Sequence, residues 1–204
     1  MRILGSALAA AILASAACSA RPPLHVGVVF DNNWVLGPVA LGTDEQARVK
    51  AAAFATLRDA FGAFDVDFAE DASRDRLIRL DRHLMRIGAT PIGSKVSYVS
   101  LDGLNLTLVT VVGCHDIASC DRYPRAELIE ALGHGFGATA AHELGHQAGL
   151  RFVRDLDCAD CWDGVSATDR SHFFGGKHWS PGDAASSAVR TLTRERSAES
   201  IRRR

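Results

Sequence analysis

The stretch His142 to Phe152, HELGHQAGLRF, decides how this chain is read. On a helix, residues four apart lie one above the other, so the imidazoles of His142 and His146 share a face and are close enough to grip one metal ion. Glu143 follows about 100° round the helix, where its carboxylate reaches a metal-bound water without itself being a ligand. The approach to the motif supports a helix. From Gly137 to Leu150 the run GATAAHELGHQAGL has no proline, is rich in alanine, and carries only small or apolar residues at Leu144, Gly145 and Ala148. That pattern reads as a buried helix presenting a few polar groups toward one side. Burying two imidazoles and a carboxylate there is unfavourable unless they are mutually satisfied, which favours a metal site over ordinary helix histidines.

His142, Glu143, His146 and Gly149 resemble the extended signature of the metzincin clan of zinc metallopeptidases, HExxHxxGxxH followed by a turn containing methionine. Gly149 has a physical role, since a helix ending in a left-handed residue favours the lack of a β-carbon, and the reversal returns the chain beneath the metal. Two positions depart from the signature. Phe152 stands where the third histidine would be, and phenylalanine cannot bind zinc; the chain's methionines, Met1 and Met85, both precede the motif. By position, Cys161 to Gly164 (CWDG) is a substitute turn, with Trp162 in the methionine's place. The resemblance implies a zincin-like fold, Zn2+ as cofactor, His142 and His146 as ligands, and Glu143 as the catalytic general base.

A third ligand must then come from elsewhere. The glutamates after Glu143 are Glu195 and Glu199, in a charged tail that is a poor place for a buried ligand. The segment just past the helix is dense in donors: Asp155, Asp157, Cys158, Asp160, Cys161 and Asp163. Zinc accepts carboxylate, so Asp155 is the first choice, with Asp157 next and His172 or His178 behind them.

The 204 residues are 47% hydrophobic with a formal net charge of -1, enough for one well-packed domain and not for two comfortable ones. Nothing in that balance calls for nucleic acid. Residues 1–20 open with Arg2 and the apolar run ILGSALAAAILASAA, an export signal too short and alanine-rich to span a bilayer convincingly. Cys18, after Ser15-Ala16-Ala17, is a candidate for lipidation and hence for membrane attachment; cleavage without lipidation is the equal alternative. Cys114, Cys120, Cys158 and Cys161 then form an even set, which in an oxidising compartment implies two disulfides with the pairing open. Local pairing would staple the two loops flanking the presumed cleft. Arginine greatly outnumbers lysine, present only at 50, 95 and 177, and alanine is abundant, which fits a bacterial protein that is periplasmic, outer-membrane-attached or secreted.

Along the chain, His25 to Phe30 reads as a strand and Thr43 to Phe61 as an amphipathic helix with Thr43 and Gln46 as a capping box. Val66 to Phe68 alternates as a strand would. Arg74 to Arg86 reads as a second, more charged helix, and Val96 to Leu101 with Leu104 to Val112 reads as a hairpin around Asp102-Gly103. Pro181 to Leu192 offers a last helix, and Arg194 to Arg204 a solvated tail. The expected fold is α/β (α+β), a mixed twisted sheet backed by helices, with residues 21–193 as one zincin-like domain, a loop-rich C-terminal part and a flexible tail at 194–204.

The function expected is an exported zinc metallopeptidase acting on a peptide or protein substrate through a zinc-activated water, with Glu143 as base. The rival is an exported, metzincin-like binding protein that no longer catalyses, motivated by Phe152 and the absent methionine. A third reading is disulfide handling by the CADC at Cys158 to Cys161, a motif that can also be half a zinc site; Asp157, Asp160 and Asp163, whose field would raise the thiol pKa, disfavour a reactive thiolate, and a structural disulfide is preferred to both. Substrate identity and oligomeric state are not encoded legibly.

Overall fold

A computed structural model describes residues 23–30, 33–37, 39–81, 86–149, 158, 160–164 and 168–180. The expected export signal, Cys18, the helix expected at 181–192 and the charged tail lie outside these residues. Strand β1 (Leu24–Val29) buries Leu24, Val26 and Val28, and a two-stranded ribbon of β2 (Val35–Leu36) and β3 (Val39–Ala40) follows. Helix α1 (Thr43–Ala60) is amphipathic as expected, with Val49, Ala53, Leu57 and Ala60 buried. Its cap sits one residue earlier than the sequence suggested. Gly42 is the N-cap and its N–H donates to the Glu45 carboxylate at 3.1 Å, while the Gln46 amide donates to the Leu41 carbonyl.

Strands β4 (Val66–Ala69), β5 (Arg76–Leu80), β6 (Gly88–Ala89) and β7 (Val96–Val99) complete a five-stranded mixed sheet in the order β4-β1-β5-β7-β6. All neighbours are parallel except β6, which runs antiparallel to β7 at the edge, with Gly88 opposite Val99 and Ala89 opposite Tyr98. Helix α2 (Leu101–Val112), helix α3 (Arg125–Gln147) and the single turn α4 (Ser171–Phe174) supply the remaining regular structure. No helix among the described residues is long and apolar enough to cross a membrane.

Two expected elements are replaced. Arg76–Leu80 is a central strand, not part of a helix: Leu77, Ile78 and Leu80 are all buried because neighbours cover both faces, and such a run matches helical spacing as well as strand spacing. Leu101–Val112 is a helix and not the second arm of a hairpin. Ser100 caps it, accepting from the Gly103 N–H at 3.0 Å, and Gly113 closes it at φ 68°. Leu101, Leu104, Leu108 and Val112 fall on its buried face. The β-branched side chains that suggested a strand yield to that periodicity and to the caps.

The core lies where α1 and α3 cross. Gly133 and Gly137, one helical turn apart on α3, meet α1 directly: a Cβ on Gly133 would stand 2.5 Å from the Val49 carbonyl oxygen, and one on Gly137 would stand 2.7 Å from that of Ala53. This close approach fixes α3 against α1, and its C-terminal turns lie alongside β6 and β7.

Candidate metal centre

Helix α3 begins after Pro124, whose fixed φ suits a helix start, and ends with Ala148 as C-cap and Gly149 at φ 89°, the left-handed terminator expected from the sequence. The last two turns bring His142, Glu143 and His146 together. The two Nε2 atoms are 3.0 Å apart and the rings are nearly perpendicular, at 89°, with centroids 4.6 Å apart. His142 Nδ1 lies 3.0 Å from the Trp162 carbonyl oxygen. A carbonyl only accepts, so Nδ1 carries the proton and Nε2 presents its lone pair. Two nitrogens on one tetrahedral zinc, each at 2.0–2.1 Å, are about 3.3 Å apart, so the pair needs only a small ring adjustment to share an ion. Burial, reinforced by the neighbouring charge of His146, depresses His142 to a pKa of about 4, which keeps it in the neutral form a metal requires.

Glu143 is buried, and burial pushes its pKa above the usual carboxylate value; a hydrogen bond from Thr90 and the charge of His146 oppose that rise. The Thr90 hydroxyl donates to Glu143 Oε2 at 2.6 Å. Behind it stands a polar chain: Ser97 Oγ lies 2.7 Å from Thr90 Oγ1, and the Gln147 amide donates to Ser97 Oγ at 2.7 Å and to the Leu77 carbonyl at 3.1 Å. Each member polarises the next, so strands β5 and β7 and the segment after β6 together aim the carboxylate. Gly88 on β6 makes room for it, because a Cβ there would stand 2.5 Å from Glu143 Oε1.

The CWDG segment lies against the helix where the spacing placed it. Its Trp162 contributes the carbonyl that orients His142, and several bonds pin the turn. Trp162 N–H donates to the His178 carbonyl at 2.7 Å, Lys177 Nζ donates to the Cys161 carbonyl at 3.0 Å, and buried Asp163 accepts from the Ser180 N–H at 3.0 Å and from the Ser180 hydroxyl. Partners such as this carbonyl fix the tautomer and ring angle of a metal-binding histidine.

Phe152, Asp155 and Asp157 lie outside the described residues. Among the described residues, no third His, Cys, Asp or Glu donor joins His142 and His146 in a cluster. The two reserve candidates are occupied elsewhere. His172 is buried on α4 with Nε2 3.0 Å from Thr139 Oγ1 and a second hydrogen bond to the Gly135 backbone; burial depresses its pKa to about 3. It is a neutral clamp between α4 and α3. His178 turns Nε2 toward Cys161 Sγ, 3.7 Å away.

The cysteines pair locally, Cys114 with Cys120 and Cys158 with Cys161, each at disulfide distance with Cα atoms 5.3 Å apart. A cavity of about 210 Å³ lies between α1, α3 and α4, lined by Thr56, His134, Trp162 and His172 among others; His142, Glu143 and His146 are not in its wall. Thr90, Ser97, Gln147, Gly88 and the Trp162 carbonyl were not legible as site groups from the sequence. Only Trp162 had a signal, its spacing from the motif. No known protein family, curated protein or solved structure matches the chain.

Proposed function

We propose that this chain is an exported zinc-dependent metallopeptidase of zincin-like fold, with His142 and His146 as ligands and Glu143 as general base. One observation carries the reading: two imidazoles with Nε2 atoms 3.0 Å apart, that of His142 held in the metal-binding tautomer by the Trp162 carbonyl. Nε2 of His142 is a bare acceptor, so at this spacing either a proton on His146 Nε2 or a metal ion bridges the two nitrogens. Zinc bound there supplies Lewis acidity for attack of water on a peptide carbonyl. Asp155 is the proposed third ligand.

The chain's own groups divide the remaining work. Thr90 holds Oε2 of Glu143, leaving Oε1 to take a proton from the attacking water and deliver it to the departing amine nitrogen. Burial strengthens the carboxylate as a base by raising its pKa, and the Thr90 bond opposes part of that rise. Strand β6 is at the sheet edge, paired on one side with β7, and Gly88 on it contacts Glu143 closely. An extended peptide adding to that edge would run beside the carboxylate, which favours a peptide as substrate.

The rival is a non-catalytic binding protein on the same scaffold, motivated by Phe152 at the third-histidine position and by the lack of a methionine after the motif. Elemental analysis separates the two. The peptidase reading expects wild type to hold one more zinc equivalent than His142→Ala or Asp155→Ala, and Glu143→Gln to retain that zinc with peptide hydrolysis reduced about 100- to 10,000-fold. Equal zinc in wild type and His142→Ala, or near-normal hydrolysis by Glu143→Gln, overturns it.

A further inference from the structure

We propose a second metal site, distinct from the helix pair: once a thiol reductant has opened the Cys158–Cys161 disulfide to the dithiol, being itself oxidised to a disulfide, Cys158 and Cys161 lose their protons and with His178 bind a zinc-class divalent ion, Asp160 being the fourth group. One ligand atom from each of these four residues lies within 4.8 Å of every other. His178 Nε2 stands 3.7 Å from Cys161 Sγ and 4.0 Å from Cys158 Sγ, and a sulfur and a nitrogen sharing a tetrahedral zinc are about 3.6 Å apart. Asp160 Oδ1 is 3.9 Å from Cys158 Sγ, and Oδ2 is 3.6 Å from His178 Nδ1. The carboxylate is thus placed either to complete the coordination or to hold the far side of the imidazole, as acids beside metal-bound histidines do.

Backbone geometry builds this convergence. Cys161 and His178 form an isolated parallel bridge, and the His178 N–H donates to the Asp160 carbonyl at 3.0 Å. Cys161 is buried while Asp160 and His178 are exposed, so the site opens to solvent on one side. A disulfide between Cys158 and Cys161 joins residues three apart and does not engage the imidazole and the carboxylate, which face each other at 3.6 Å. In the dithiol state, an ion on the same atoms also ties in His178, seventeen residues on from Cys161, and so fixes Cys158 and the 160–164 turn against 177–180. That turn carries the Trp162 carbonyl under His142, so the second ion would stabilise the orientation of the first site's ligand while standing independently of what that site does.

The test is a cobalt titration of the full chain after phosphine reduction and removal of bound metal, with thiol counting to verify reduction. One equivalent is expected to give a thiolate-to-cobalt charge-transfer band in the near ultraviolet, retained in His142→Ala and in Cys114→Ser/Cys120→Ser, and abolished in Cys158→Ser/Cys161→Ser. His178→Ala should weaken cobalt binding at this site by about tenfold or more, while His178→Cys, which keeps a soft donor in place, should intensify the band and shows that the turn tolerates change. Absence of the band in verified reduced wild type, or its survival in Cys158→Ser/Cys161→Ser, overturns the proposal. Failure of the peptidase reading appears separately, as loss of the His142-dependent equivalent alone.

Discussion

Replacing Gly88 by alanine tests the coupling between the sheet edge and Glu143. In a strand this change ordinarily stabilises, by roughly 0.5–1 kcal/mol, because glycine loses the most backbone freedom on folding. Here the new methyl would sit 2.5 Å from Glu143 Oε1, 2.6 Å from Thr139 Cγ2 and 3.0 Å from Glu143 Cγ. Ordinary contact begins near 3.5 Å, so the carboxylate must retreat roughly 1 Å. It cannot do so freely. Glu143 Oε2 is bound to Thr90 at 2.6 Å, and Thr139 is held through its hydroxyl by His172 at 3.0 Å. Overpacking of this kind costs about 1–3 kcal/mol, which in a domain of this size lowers Tm by roughly 2–10 °C. A displacement of about 1 Å at a catalytic group costs on the order of 100-fold in turnover. Gly88→Ala is therefore expected to melt lower, to keep the His142-dependent zinc, and to lose about 100-fold in kcat/KM on a peptide substrate. Thermal denaturation, elemental analysis and steady-state kinetics read the three quantities. A variant as stable as wild type or more so, with unchanged turnover, would refute the close packing of β6 on the carboxylate.

Two further outcomes follow from the same network. Thr90→Val removes the hydroxyl that lowers the Glu143 pKa, so that pKa should rise and the acid limb of the kcat/KM profile move to higher pH. A raised carboxylate pKa favours the folded state while protonated and loses that advantage as pH climbs through the folded value, so the variant should be destabilised more at neutral than at acidic pH; an acid limb moving the other way refutes the assignment. His172 has the opposite sign. Its folded pKa, about 3, lies below its ordinary 6.5, so the unfolded chain takes up a proton that the folded chain refuses, and stability falls as pH drops from 6.5 toward 3. The limit of that loss is on the order of 5 kcal/mol. Urea titrations of metal-free protein should show a steeper loss across this window in wild type than in His172→Gln; equal slopes would show that His172 is not buried neutral.

The motif helix was legible because its information is local: four residues of spacing fix the relation of His142 to His146, and a glycine beyond the last turn fixes the stop. Leu77, Ile78 and Leu80 were not assignable from the sequence, since a central strand buried on both faces lacks the alternation that separates strand from helix, and its partners β1 and β7 are remote in the chain. Leu101–Val112 was misread for a related reason. Asp102-Gly103 signals a hairpin turn, but the same two residues serve as the first turn of a helix once Ser100 caps it by accepting from the Gly103 N–H. The site followed the same division. Of the groups carried by α3, His142, Glu143 and His146 could be named as candidates from the sequence and Gln147 could not, whereas Thr90 and Ser97 act through a chain of hydrogen bonds that exists only after β6 and β7 dock beside that helix, and threonine or serine near a strand end carries no spacing signal. The Trp162 carbonyl makes the point most sharply. A backbone oxygen has no residue identity to read, so only the distance of the CWDG turn from the motif could mark it, and its placement against His142 depends on contacts with Lys177, His178 and Ser180 that the sequence leaves unpaired. What fixes the chemistry of His142 is therefore the tertiary anchoring of one turn, and a substitution that frees that turn should disturb the imidazole without touching the motif.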